Sequence, residues 1–484
     1  MRTRIKGGIL ALGLLGAALM APALAQAATL AVTSSTTLTP AFSSSVLNYT
    51  TTCPAGSVVI TAVSPTGTGV SVDHQTRVGG TQVKTVTLTA GQRFMITVKK
   101  GSKTTTHSIR CLPADFPGFE VTGSLPASFP LFGLANIRPM VFHQTPINAY
   151  AIVADRNGVP VWWKKAPDNL FNVMGMKGSR IATGLADGPM TVYRPNGTVE
   201  RRVRPTIGQP DAHEAIPTSR GTYYLGATQQ RYHVDLRAIQ GGTADGSPLD
   251  SVIEEVSATG KSLWSWKSAE HFALSETILP QVFIPLTDVT QGSTPVMDIA
   301  HLNSVEDDGH GGLIASFRNT SAVYRINKAT HAIDWKFGGT TTSKSLTVLG
   351  DDANLVHLGG QHDARLLPDG TLSIADNGSG TTRRARVTRW RINAAAKTAT
   401  LVEELIDPTI GRSVCCGSAR KGSDGSWLVA WGSLSYIRAY NSAQHMVFNL
   451  HFFDHGLTYR ATPIPTSQVT SATLIAGMDS ANPR

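Results

Sequence analysis

GGQHDARLLPDGTLSIADNG, residues 359–378, sets a histidine just ahead of a hairpin. Asp369-Gly370 is a two-residue turn signal, and TLSIAD after it alternates β-favouring apolar residues with small polar ones. The arrangement recurs along the chain. In AHEAIPTSRGTYYLGA (212–227) and AHLNSVEDDGHGGLIASFR (300–318) a glycine again follows the histidine by eight residues, so that Gly221, Gly309 and Gly370 answer to His213, His301 and His362. A large apolar residue follows each histidine by twelve: Leu225, Leu313 and Ile374. CCGSARKGSDGSWLVAWGS (415–433) repeats the pattern with Cys416 in the histidine's place and Leu428 twelve residues on.

Turn-plus-tryptophan stretches accompany these copies: NGVPVWWKK, TGKSLWSWKS and THAIDWKFGG, each reading as an outer strand that closes a unit. Repeated units of short strands and turns at this spacing fit the blades of a β-propeller. Residues 116–484 suffice for six large blades, with an insertion between His213 and His301. Blades are arranged radially, so one position repeated in successive blades surrounds a common axis. Histidines far apart in sequence then meet at one mouth of the central channel.

The chain opens with Arg2, Arg4 and Lys6, the apolar run GGILALGLLGAALM and the small-x-small triplet Ala25-Gln26-Ala27, the three parts of an export signal spanning residues 1–27. No later stretch approaches 18 uninterrupted apolar residues, so no membrane span is expected, and the mature protein should be exported to the periplasm or the medium. Residues 28–115 carry short alternating strands (SVVITAVSP, VKTVTLTAG, RFMITVKKG) separated by Gly, Pro and Ser turns, the pattern of a β-sandwich. The expected fold is therefore all-β: an N-terminal β-sandwich followed by a six-bladed β-propeller.

The formal charge of +10 falls to +7 once the three basic residues of the export signal leave. The remaining basic residues are scattered, which speaks against a nucleic-acid partner and for a local basic site that takes a small anion. Of the four cysteines, Cys53 and Cys111 bracket the N-terminal segment and are candidates for a disulfide. Cys415 and Cys416 are contiguous, and the sequence leaves a vicinal disulfide and two free thiols both open. No C-x-x-C pair is present.

Three histidines at one repeat position are costly to bury together unless they have chemistry to do. Asn303 lies two residues after His301, hence on the same face if the segment is extended, and Arg318 ends GGLIASFR. Imidazoles, an amide and a guanidinium suit a tetrahedral oxyanion, with the arginine as planar fork. One neutral imidazole could attack as nucleophile while another supplies a proton. The rival reading makes the histidines metal ligands of a propeller lyase or hydrolase, backed by Glu214 and Asp363. A third reading is a non-catalytic propeller that binds anions or glycans.

AHLNSVEDDGHGGLIASFRNTSAVYRINKATHAIDWKFGG and GGQHDARLLPDGTLSIADNG resemble the bacterial arylsulfate sulfotransferase family, as does the order of export signal, β-sandwich and propeller. The resemblance implies transfer of a sulfuryl group from a phenolic sulfate ester to another phenol through a sulfated histidine, with no cofactor, no metal and no nucleotide donor. By motif, it implies His362 in GQHDA as nucleophile. It implies His301 and Asn303 in HLNS, Arg318 in SFR and His213 in DAHE around the sulfuryl group; of these, His213 is the candidate for relaying a proton to the leaving phenolate. The implied partners are a small aryl sulfate and a phenol, with no membrane or nucleic acid, and a homodimer is allowed without being required. No G-x-x-x-x-G-K-[ST] loop is present. The chain departs from the family pattern in its cysteine pair, which is contiguous here and separated by several residues in the best-known members.

Overall fold

The computed structural model describes residues 29–136, 149–167, 170–185, 188–283, 296–352, 356–453 and 456–484; the export signal expected over residues 1–27 lies outside them. Among the described residues strands dominate, with one α-helix, Ser471–Ala481. Among the described residues no helix is long and apolar enough to cross a membrane.

Two sheets make up the N-terminal part. Ala31–Ser34, Ser57–Val63 and Thr81–Thr87 form one; Asn48–Thr52, Lys103–Leu112, Arg93–Lys100, Thr68–Val72 and Val78–Gly79 form the other. Alternation explains their shared core, for in Ser57–Val63 the inward residues Val58, Ile60 and Ala62 are buried while Val59 is exposed. These side chains meet Val70, Val72, Phe94, Ile96 and Ile109 of the second sheet. Cys53 and Cys111 are disulfide-bonded beside this core, 5.9 Å apart at Cα. Closing a loop of 58 residues restricts the unfolded chain by on the order of 4 kcal/mol.

From Phe119 onward the strands of the described residues form six sheets, antiparallel except where Ser247–Val256 pairs with Val296–Asp298 and Thr347–Leu349 with Thr398–Leu405. Four are sequential, beginning with Leu170–Met176, Gln209–Pro217, Leu302–Asp307 and His362–Leu366, and a fifth, beginning with Ser418–Lys421, is completed by Phe119–Gly123 from the start of the region. The sixth joins the two ends of this region, because Ala461–Ile464 pairs with Leu131–Asn136. The first strands of successive sheets touch in order, and Ala461–Ile464 touches both Ser418–Lys421 and Leu170–Met176, so the circuit closes. The tryptophan stretches lie at the far ends of their sheets, in Pro160–Ala166, Ser262–Lys267 and Ile333–Gly338.

The hairpin spacing is realised directly. Gly370 turns the chain between His362–Leu366 and Leu372–Asp376 at φ +77°, a left-handed value that favours glycine, and Gly221 and Gly309 do the same at +79° and +71°. Leu225, Leu313, Ile374 and Leu428 are buried on the second strand of their sheets. The helix Ser471–Ala481 returns to the N-terminal part, where Asp479 receives Arg93 Nε at 2.7 Å and Arg110 Nη2 at 2.8 Å.

Candidate active site

The innermost strands that carry the histidines are irregular beside them, and the irregularities carry the polar residues. Register slips between Asp211 and Ala215, between Leu302 and Ser304, and between His362 and Arg365. His301, Asp363 and Cys416 are left-handed at φ +59°, +55° and +67°. Such bulges rotate a side chain away from the direction that plain alternation would give it.

The three histidines are brought together. His213 and His301 stand with ring centroids 4.4 Å apart, edge to face. Tyr459 lies between the other pair, 5.4 Å from His213 and 5.9 Å from His362. Phe171 stacks on the outer face of His213 at 4.7 Å.

Each ring is held through Nδ1 by a different partner. His213 Nδ1 bonds to Asp211 Oδ1, and His301 Nδ1 donates to Asp298 Oδ2 at 2.5 Å. His362 Nδ1 faces the Gly360 carbonyl at 3.0 Å and Asn377 Oδ1 at 2.9 Å, while its Nε2 accepts the Cys416 backbone N–H at 3.1 Å. Burial drives the His362 pKa well below its ordinary value, helped by the positive fields of His301, Arg318 and His213. Burial also lowers His301, against the opposing pull of Asp298. At His213 burial works in the same direction, but the Asp211 carboxylate, with Asp298 behind it, outweighs it and the pKa is raised. One neutral nucleophile candidate thus sits in a cluster whose other two rings lean opposite ways.

Arg318 follows the strand Gly312–Phe317 and is buried. Its Nη1 donates to Asn319 Oδ1 at 2.7 Å and its Nη2 to the Val414 carbonyl at 3.1 Å, and its Nε has no partner. Among the described residues no carboxylate pairs with it. A guanidinium keeps its charge at neutral pH, so the histidine cluster includes a buried cation that, among the described residues, has no carboxylate in direct contact and feels Asp298 only at a distance. The Cys415 thiol is lowered by the hydrogen bond from Cys416, with Arg318 and His213 assisting, and Cys416 is raised well above its ordinary value. Both are free thiols, so no vicinal disulfide is formed.

Three expectations need correction. Glu214 and Asp363 do not back the histidines. Neighbouring residues on a strand face opposite ways, and these two pair instead with arginines: Glu214 with Arg365 at 2.7 Å and Arg460 at 3.0 Å, Asp363 with Arg365, Arg420 and Arg460 at 2.9, 2.7 and 3.1 Å. Asn303 does not share a face with His301 by simple alternation, because His301 is left-handed and the register slips beside it. Its side chain donates to the Gln361 carbonyl at 2.7 Å, and its own carbonyl accepts from Arg460 and Tyr459. Nor does any group of three or more His, Cys, Asp or Glu side chains among the described residues converge as a metal site would require.

The positions missed by sequence reasoning are Asp211, Asp298, Asn377 and Tyr459. Asp211 lies only two residues before its histidine. Tyr459 stands at the start of its own innermost strand, but that copy has no histidine on which to align it. The arginines of TTRRARVTRWR serve structure: Arg386 binds Asp351 and Asp376, and Arg389 binds Asp369.

The family model described as arylsulfotransferase (ASST) matches residues 191–453, more than half of the chain. No curated sequence matches it. Among solved structures, a Bacteroides caccae protein of unknown function is 9% identical, covering 68% of this chain and 98% of its own at a TM-score of 0.43. The β-propeller domain of Cps50 (Swd1) from Myceliophteria thermophila is 9% identical, covering 72% and 90% at 0.36. A catalytically inactive virginiamycin B lyase from Staphylococcus aureus, with quinupristin, is 9% identical, covering 68% and 87% at 0.34.

Proposed function

Because this chain belongs to the arylsulfotransferase family, we propose that it moves a sulfuryl group from a phenolic sulfate ester to a phenol, with His362 as the nucleophile. We read the six sheets as six propeller blades over residues 116–484, preceded by a β-sandwich over 28–115. The Cys53–Cys111 disulfide fits an exported protein.

The reading rests above all on Arg318, a buried guanidinium without a carboxylate partner close to a neutral imidazole. Such a pairing suits a substrate that brings its own negative charge. The Nε2 lone pair of His362 attacks sulfur, the bond from sulfur to the phenolic oxygen breaks, and the phenolate departs. Arg318 holds the sulfuryl oxygens while charge shifts across the group. His213, kept protonated by Asp211, hands its proton to the departing phenolate. The second phenol then attacks sulfur, the N–S bond breaks, and the proton of that phenol passes to a neutral imidazole of the His213–His301 pair. His301 donates its Nδ1–H to Asp298 as a hydrogen bond, so its bare Nε2 suits proton acceptance better than donation to a sulfuryl oxygen. Asn303 acts at one remove, through Gln361 and Arg460.

Assay of a chromogenic aryl sulfate with and without added phenol tests this. Release of the coloured phenolate should depend on the acceptor and follow ping-pong kinetics. No release under any acceptor, or release that a chelator abolishes and a divalent metal restores, would overturn the proposal.

A further inference from the structure

The hydrogen bonds at His362 allow one assignment of its ring protons. Nδ1 faces two oxygens, the Gly360 carbonyl at 3.0 Å and Asn377 Oδ1 at 2.9 Å. Nε2 faces a donor, the Cys416 N–H at 3.1 Å. A ring nitrogen surrounded by acceptors carries the hydrogen, and one that receives an N–H does not. The amide of Asn377 has no freedom to flip, because its Nδ2 donates to the Cys416 carbonyl at 2.7 Å. Flipping it would set its oxygen against that carbonyl and its NH2 against the ring N–H. Asn377 is 3% exposed, immediately after the strand Leu372–Asp376 that pairs with the strand beginning at His362.

We infer that Asn377 is a positioning residue for sulfuryl transfer: bridging the Cys416 carbonyl and Nδ1 of His362, it locks the nucleophile in the tautomer whose lone pair lies on Nε2. This rests on the reading of His362 as nucleophile. When Nε2 gives its lone pair to sulfur, it releases the Cys416 N–H and the ring becomes cationic while keeping its Nδ1 hydrogen. The S–O bond breaks in the same step and the phenolate carries the electron pair away. The Nδ1–H to Asn377 bond is then charge-assisted, stronger than in the resting enzyme, and stabilises the transition state more than the ground state. The other titratable or charged groups facing the ring are His301, Arg318, His213, Tyr459 and Cys416.

Histidine-15N NMR of the whole resting protein tests the lock without substrate, with the His362 signals identified by their loss in His362→Asn. The wild type should show Nδ1 protonated and Nε2 bare, with the ring neutral well below the usual histidine midpoint. Asn377→Asp places a carboxylate against Nδ1, so the midpoint should rise by about one unit or more, and the acid limb of kcat/KM should rise with it. Asn377→Leu, close in shape, should bring in the Nε2–H tautomer and lower kcat by roughly 10- to 100-fold, with KM for the aryl sulfate little changed. If both variants keep the wild-type tautomer and midpoint, the inference is wrong, whatever their activity. Should the aspartate variant fail to fold, Asn377→Ser, too short to reach the ring, is read in the same spectrum for the same change of tautomer. A wild type with the expected tautomer and no aryl sulfate turnover would overturn the transferase reading and leave the tautomer lock standing.

Discussion

His213 and His301 stand 4.4 Å apart edge to face, yet their surroundings push their pKa values in opposite directions. The Asp211 carboxylate favours the protonated form of the first ring, and burial favours the neutral form of the second against the pull of Asp298. Two like groups pushed apart in this way serve as an acid and a base at one pH.

Asp211→Asn tests the acid. A proton donor must be protonated, so activity falls as pH rises through the His213 pKa, which Asp211 raises. Removing the carboxylate should bring that alkaline limb of kcat/KM down by about one unit or more. The acid limb, which reports groups that must be neutral, should stay in place. An unmoved alkaline limb would take His213 out of the proton-transfer role.

His362→Asn should bind aryl sulfate and fail to turn it over, with transfer reduced at least about a hundredfold, roughly 2.7 kcal/mol of barrier. In the wild type, donor supplied without acceptor should leave an adduct of about 80 Da on the peptide carrying His362, as a covalent sulfuryl intermediate requires. Its acid limb should lie well below the ordinary histidine pKa of about 6.5, because burial favours the neutral ring and activity is lost only as pH falls through that depressed value. Mass spectrometry and a pH series check both.

Arg318→Lys keeps a positive charge and loses the planar fork. Transfer should fall by roughly a hundredfold, about 2.7 kcal/mol of transition-state stabilisation, while the melting temperature moves little, since the guanidinium makes no ion pair with the fold among the described residues. A large loss of stability with near-normal turnover would assign Arg318 to structure.

Cys415 should react first with a thiol alkylator. Its pKa is lowered by the bond from Cys416, with Arg318 and His213 assisting, while that of Cys416 is raised, and the thiolate is the reactive form. An aryl sulfate bound against Arg318 should slow the labelling. Equal labelling of both thiols, with no protection by substrate, would contradict this electrostatic picture. Peptide mapping of alkylated protein separates the outcomes.

Much of the architecture was legible in the sequence because turn chemistry and strand alternation are local. Asp369-Gly370 and its counterparts announce hairpins, the tryptophan stretches mark outer strands, and the repeated histidine falls in or beside the first strand of three of the sheets. The Cys53–Cys111 bond followed from the position of two cysteines around one segment. Which way the polar side chains face was not legible. Left-handed residues at His301, Asp363 and Cys416 and the register slips beside the histidines reverse the alternation that sequence reading assumes. Glu214 and Asp363 turn away from the rings to Arg365 and Arg460, and Asp211, Asp298 and Asn377 hold the rings instead. Tyr459 reaches His213 and His362, and Arg460 reaches Asn172 at 2.7 Å, only because the last strand closes the circuit of sheets. The sequence alone determined the repeated unit and the kinds of group it carries; the aim of those groups is set by the bulges that strand pairing creates, and the contacts of Tyr459 and Arg460 with them exist only once the ring of sheets has closed.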